Sequence, residues 1–152
     1  MEKEQSAELA MLFSGVKNAG NLDYVTGWYK KAAEYIQGTQ IECAFVSTNS
    51  ICQGQQVPIL WPNLFARGVH INFAHQTFKW SNEARGNAAV YCIIVGFSLR
   101  NRTEKQLFLY DDIKGECLFS AAEIARLKNT VSLPSGKHRS SIALFHFIAK
   151  VR

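Results

Sequence analysis

The chain has 152 residues, 47% of them apolar and 19% charged, with a formal net charge of +5. This composition suits one globular domain with a real core and excludes disordered and fibrous classes. No apolar run reaches the roughly 18 residues of a membrane span, and the polar opening Met1-Glu2-Lys3-Glu4-Gln5 is not a secretory signal, so the expected setting is cytoplasmic with no membrane partner. The charge is uneven. Residues 1–113 hold ten basic and ten acidic side chains, whereas 114–152 hold seven and two. A basic tail suits phosphate contact and equally suits a solvated terminus.

In chain order, the first predicted helix runs from Lys3 to Ser14, with Leu9, Leu12 and Phe13 on one side and Gly15 as its stop. Asn21 is predicted to cap a second helix by accepting from a first-turn N–H. Leu22, Val25, Trp28 or Tyr29, Ala32, Ala33 and Ile36 then recur at helical spacing as far as Gly38. Ile41 to Val46 predicts a buried strand that ends in the small polar residues Ser47-Thr48-Asn49-Ser50. A third helix is expected from near Gly54 to Phe65, bent or interrupted at Pro58 and Pro62. Val69 to Phe73 is a strand, a loop follows around Phe78, and Ala88 to Phe97 is a strand covered on both faces. Gln106 to Tyr110 is a shorter strand, and Ala121 to Lys128 a helix. The order argues for an α/β sheet whose last strands pair antiparallel. Ligands of such sheets bind beyond the carboxyl ends of the strands, which puts Ser47–Ser50 and the Phe78 loop at one edge.

The stretch Phe78-Lys79-Trp80-Ser81-Asn82 combines flat rings, a charge and an amide. That is the equipment needed to hold a planar base beside a phosphate backbone. The same rings also suit the capping of a core edge. Trp28 equally fits core packing, the Ser47–Ser50 run a helix-capping turn, and Asp23 a first-turn helix charge. The four cysteines (Cys43, Cys52, Cys92, Cys117) contain no CxxC pair, which predicts a reduced protein, with Cys43 and Cys92 as small core residues. The histidines are too far apart in sequence for a metal site, Asp111-Asp112 would point to opposite faces of a strand, and Ser135-Gly136-Lys137 lacks the rest of a phosphate loop.

Three segments in order, Leu22-Asp23-Tyr24-Val25-Thr26-Gly27-Trp28-Tyr29-Lys30-Lys31-Ala32, Ala44-Phe45-Val46-Ser47-Thr48-Asn49-Ser50-Ile51 and Phe78-Lys79-Trp80-Ser81-Asn82-Glu83-Ala84, resemble the MmeI-like family. These are DNA methyltransferases of bacterial restriction–modification systems, similar to the adenine-N6 class that uses S-adenosylmethionine. The resemblance spans roughly residues 8–115. It implies the C-terminal half of a Rossmann-like methyltransferase sheet with antiparallel final strands, acting on double-stranded DNA. By this resemblance Asn21, Asp23 and Trp28 border the cofactor's adenine, and Ser47, Thr48 and Asn49 line the site. Phe78, supported by Trp80, stacks on a flipped target adenine, and Lys79 and Arg85 hold phosphates. The family's Asn-Pro-Pro-aromatic motif and glycine-rich cofactor loop lie upstream of the equivalent of Leu9, and this sequence contains neither. No catalytic residue is therefore assigned. The expectation is a partial catalytic domain over residues 1–115 that partners the missing upstream half, followed by a basic tail over 116–152 that departs from the family pattern. The alternative is a non-catalytic remnant or subunit that binds DNA or a partner.

Overall fold

The computed structural model describes residues 1–80 and 90–109, with Trp80 described by its backbone only. The expectations for Arg85, Asp111-Asp112, Cys117, the 121–128 helix, Ser135-Gly136-Lys137 and the basic tail lie outside those residues.

Helix α1 (Lys3–Leu12) opens with the Gln5 side chain accepting the Glu2 backbone N–H at 3.0 Å. Leu9, and Phe13 just beyond the last turn, are buried. Their neighbour is helix α2 (Val25–Tyr35), and Gly27 sets how closely the two approach. A Cβ at Gly27 would lie 3.3 Å from a methyl of Leu9 and of Leu12, so glycine leaves α1 the room it occupies.

A polar clasp closes the same interface. Glu8 accepts hydrogen bonds from the Lys31 ammonium and the Tyr24 hydroxyl, and these hold its carboxyl below the ordinary carboxylate range. A lowered acid pKa stabilises the fold above the unfolded value of about 4.5 and loses that contribution as the pH falls through the folded value. Amide exchange in α1 is therefore expected to accelerate relative to α2 below pH 4.5. Glu8→Gln should remove that extra pH dependence.

The second helix starts later than Asn21. Residues Ala19–Asn21 form a 3-10 turn, Tyr24 sits at the cap position, and Asn21 gives its side-chain N–H to Gln55 Oε1 at 2.7 Å instead of capping. Thr26 Oγ1, in the first turn of α2, donates to the Asp23 carbonyl at 2.7 Å. Helix α3 (Gln56–Phe65) tolerates Pro58 in its first turn, where the missing N–H has no intrahelical partner to lose, and it continues through Pro62.

The sheet has the order β1-β3-β2-β4, with β1 Cys43–Thr48, β2 His70–Trp80, β3 Val90–Ser98 and β4 Gln106–Phe108. Strand β3 is antiparallel to both neighbours, so β1 and β2 run in the same direction, and β4 joins the far edge of β2 in parallel. One face of the sheet carries Ser47, Ile71, Ala74, Ile93, Val95 and Phe97, all buried. Tyr29 is the hub of the core beneath it. Its ring centroid lies 5.1 Å from Phe45, 5.8 Å from Trp61 and 5.7 Å from Phe97. Its hydroxyl meets Ser47 Oγ at 3.0 Å, and burial raises its pKa. Trp61 satisfies its indole N–H on the Ile51 carbonyl at 2.9 Å.

Several expectations change here. Strand β1 is not buried on both sides, since Ala44 and Thr48 are exposed and Val46 is 57% exposed on the face opposite Ser47. Strand β3 likewise leaves Cys92 and Ile94 half-buried on that face. Cys43 and Cys92 are half-buried, and among the described residues the fully buried thiol is Cys52. Of the two adjacent aromatics on α2, Tyr29 enters the core and Trp28 stays 56% exposed. Phe78 is not in a loop. Strand β2 runs on to Trp80, with Phe78, Lys79 and Trp80 paired to Cys92, Tyr91 and Val90 of β3.

Candidate functional site

Because β1 and β2 run in the same direction, their carboxyl ends reach one edge of the sheet, where β3 begins. Thr48 pairs with Cys92 on one side of β3 and Phe78 pairs with Cys92 on the other. The three residues form a row across the sheet. Adjacent strands are about 4.8 Å apart, so Thr48 and Phe78 are separated by about 10 Å at their backbones. Residues paired directly across a sheet point to the same face. The row therefore lies on the open face, opposite buried Ser47 and Ile93.

Phe78 reaches that face through an irregularity. His75 pairs with Ile94 and Phe78 with Cys92, so three steps along β2 match two along β3. A regular strand would have paired Phe78 with Tyr91 and turned its ring toward the helices. The extra residue is a β-bulge, a device that re-aims a side chain. Just before Phe78, Thr77 hydrogen-bonds the Cys52 side chain. The Cys52 thiol donates to the Asn49 carbonyl at 3.0 Å. Burial pushes that thiol's pKa up to about 11, with the Thr77 bond acting the other way. Asn49, Cys52 and Thr77 thus form a chain of contacts that fixes the polar turn after β1 against the end of β2. At the turn itself Thr48 Oγ1 and Ser50 Oγ are 3.0 Å apart.

Thr48, Asn49 and Phe78 are brought to one edge. Phe78 is half-buried and Asn49 half-buried, with Thr48 exposed. Ser47 is placed elsewhere, facing the helices on Tyr29. Lys79 is exposed on the same strand end as Phe78, and Trp80 pairs with Val90 along the backbone. Asn21 and Asp23 sit against the start of α3, which follows the polar turn. The Asp23 backbone N–H donates to Gln56 Oε1 at 3.1 Å, and Gln56 Nε2 donates to the Asn21 carbonyl at 3.3 Å. Trp28 projects from α2 with the Lys31 ammonium, which also pairs with Glu8, 5.8 Å from its ring centroid in a cation–π contact.

Residue reading did not single out the bulge, Cys52, Thr77 or Cys92 as parts of this edge. It also missed an aromatic group further along the open face. His75 stacks on Phe108 with ring centroids 4.3 Å apart, and burial lowers its pKa. Phe73 lies over Gly96, where a Cβ would come within 2.0 Å of the ring, so only glycine admits the ring in that position. The pair Phe73 and His75, two apart in a predicted strand region, was the available signal for this group.

The helices and the mixed sheet make an α/β unit, and comparison with known proteins gives its class. The family described as "MmeI, DNA-methyltransferase domain" matches residues 1–111, and the chain belongs to that family. It is 47% identical over 108 residues to DNA methyltransferase A of Bacillus subtilis (strain 168), covering 70% of this chain and 12% of that protein. A solved structure described as the Type IIL restriction-modification enzyme MmeI in complex with DNA superposes with a TM-score of 0.74 at 53% identity, covering 78% of this chain and 16% of that one. The chain spans a small part of either relative's length.

Proposed function

We propose that this chain forms the target-base half of a DNA adenine-N6 methyltransferase of a restriction–modification system, a cytoplasmic enzyme acting on double-stranded DNA. The observation that carries this reading is the row Thr48–Cys92–Phe78, turned to the open face by the bulge at the carboxyl edge of the sheet. The amine of an adenine is unreachable inside a duplex, so the base must swing out at a cost of a few kcal/mol. Stacking on Phe78 returns about 1–3 kcal/mol of that. Thr48 and Asn49 offer hydroxyl and amide groups to the base's polar edge. Lys79 and Arg85 hold flanking phosphates, which fix the duplex without reading its sequence. Trp80 supports the stack.

A cofactor site fits this chain in part. The exposed indole of Trp28 offers the flat face that an adenine ring packs against, and Asn21 and Asp23 flank the start of its helix. The sequence holds no glycine-rich loop or Asn-Pro-Pro stretch to complete the pocket. Bound S-adenosylmethionine would supply an electrophilic methyl group. The part of these residues is to hold the two reactants in line, and positioning is a large share of the rate in such transfers. The upstream half of the domain is then the natural partner, seated on β1 and the open face.

Phe78→Ala is expected to weaken binding to a duplex with a mismatched or unpaired adenine by roughly 10-fold or more while leaving perfect duplex nearly unchanged, as read by fluorescence anisotropy. Equal loss on both duplexes would refute base stacking. A second reading, a non-catalytic DNA-binding or partner-binding remnant, is favoured by the absent Asn-Pro-Pro stretch. It predicts steep salt dependence with no response to Phe78→Ala.

A further inference from the structure

On the open face of the sheet, strand β3 presents Gly96, Ile94, Cys92 and Val90 in turn, since alternate residues of a strand share a face. The cover over this strip is uneven. Gly96 is buried and lies beneath the Phe73 ring. His75, paired with Ile94, has its ring stacked on Phe108 of β4, on the side of β2 away from β3. Cys92 stands in an inner strand with a paired neighbour on each side, yet it is only half-buried, so the space above it is open.

The residues flanking that opening are Thr48, which is exposed, and Phe78, which is half-buried. Directly paired residues have their Cβ atoms about 4.5–5.5 Å apart, so each wall begins that far from Cys92. Side chains stand roughly perpendicular to a sheet. The row therefore makes a slot with a polar wall on β1, an aromatic wall on β2 and a cysteine as its floor. Between the branched Ile94 and Val90, Cys92 is the low point of the strip. Burial holds its thiol above the ordinary range, so the floor is uncharged. A base stacked on the β3 side of the Phe78 ring, at a contact distance of about 3.5–4 Å, stands over Cys92.

We propose that Cys92 is a specificity-determining residue, whose small side chain forms the floor of the slot between Phe78 and Thr48 and sets the size of the extruded base that the slot admits. This assignment rests on the base-stacking reading of Phe78. A purine needs more of the slot than a pyrimidine does. Because the space above Cys92 is open, a longer side chain at this position displaces no packed neighbour, and the fold tolerates what the slot does not.

The test is fluorescence anisotropy of the whole 152-residue chain on three duplexes, one with an unpaired adenine, one with an unpaired cytosine and one perfectly paired. Cys92→Leu should weaken binding to the unpaired adenine by roughly 10-fold, with a smaller loss on the unpaired cytosine and none on the perfect duplex. Cys92→Ala should leave all three unchanged. If Cys92→Leu fails to fold by circular dichroism, Cys92→Val and a chemical readout decide. In that readout methyl methanethiosulfonate modifies the free thiols and peptide mass spectrometry follows each one. The duplex with the unpaired adenine should slow modification of Cys92 but not of Cys43, which pairs with Phe97 at the other end of the sheet. The perfect duplex should slow neither. Selectivity that survives Phe78→Ala would overturn the stacking reading and this assignment with it. Selectivity lost in Phe78→Ala but kept with the larger residue at position 92, or a Cys92 thiol left equally reactive under the adenine duplex, would overturn this assignment alone.

Discussion

Tyr29→Ala is expected to destabilise the protein by about 3–5 kcal/mol, the range for removing a large aromatic from a packed core. Small domains hold only about 5–15 kcal/mol in total, so this variant should lie close to unfolding. The size of the effect follows from position. Tyr29 is fully buried, and its ring touches Phe45 on β1, Phe97 on β3 and Trp61 on α3. One side chain therefore ties two helices to two strands. Tyr29→Phe isolates the polar share. It keeps the ring and leaves Ser47 Oγ without its 3.0 Å partner, for an expected loss of about 1–3 kcal/mol. Urea unfolding followed by circular dichroism gives both values. Equal stability of Tyr29→Ala and the parent would mean that these helices do not pack on this sheet face.

That residue also joins the two parts of the candidate site. Trp28 precedes Tyr29 on α2, and Thr48 follows Ser47 on β1. The Tyr29–Ser47 hydrogen bond therefore sets the helix that carries the exposed indole against the strand tip that carries the polar turn. Loosening it in Tyr29→Phe should affect ligand binding more than a peripheral change of similar stability cost.

The helices were legible because their signal is redundant. Leu9 with Phe13, and Ala32, Ala33 and Ile36, repeat over several turns, so one misplaced residue does not move the element. Boundaries were less legible. Asn21 has the chemistry of a cap, but its amide is taken by Gln55, a residue 34 positions away that no local rule can see. Trp28 and Tyr29 were interchangeable on the pattern because neighbours on a helix differ by only about 100°, and the hydrogen bond from Tyr29 to Ser47 depends on tertiary structure. The apolar run from Ala88 predicted a strand covered on both faces, yet its uncovered side is legible only once the rest of the sheet is present. The candidate site entered as a set of residues through the family resemblance. It was not legible as geometry, because a bulge is an extra residue relative to a partner strand, and a single strand read alone has no partner.

The bulge before Phe78 therefore gives the sharpest test of the arrangement. Deleting Gln76 should restore a regular ladder between His75 and the strand end, since it removes the one residue by which β2 exceeds β3 there. Thr77 then pairs with Ile93, and Phe78 keeps its place opposite Cys92 on the open face. Selective binding to an extrahelical adenine should therefore survive the deletion. Exchanging the two residues in the undeleted chain, Thr77→Phe with Phe78→Thr, keeps the bulge but takes the ring off the Cys92 row. Selective binding should then fall as far as in Phe78→Ala, by roughly 10-fold or more. Stability should also fall, by about 1–3 kcal/mol, because a ring is forced into a filled space and the threonine leaves Cys52. Selectivity kept by the exchanged variant, with its fold intact by circular dichroism, would remove the Cys92 row from the account of how this edge holds a base.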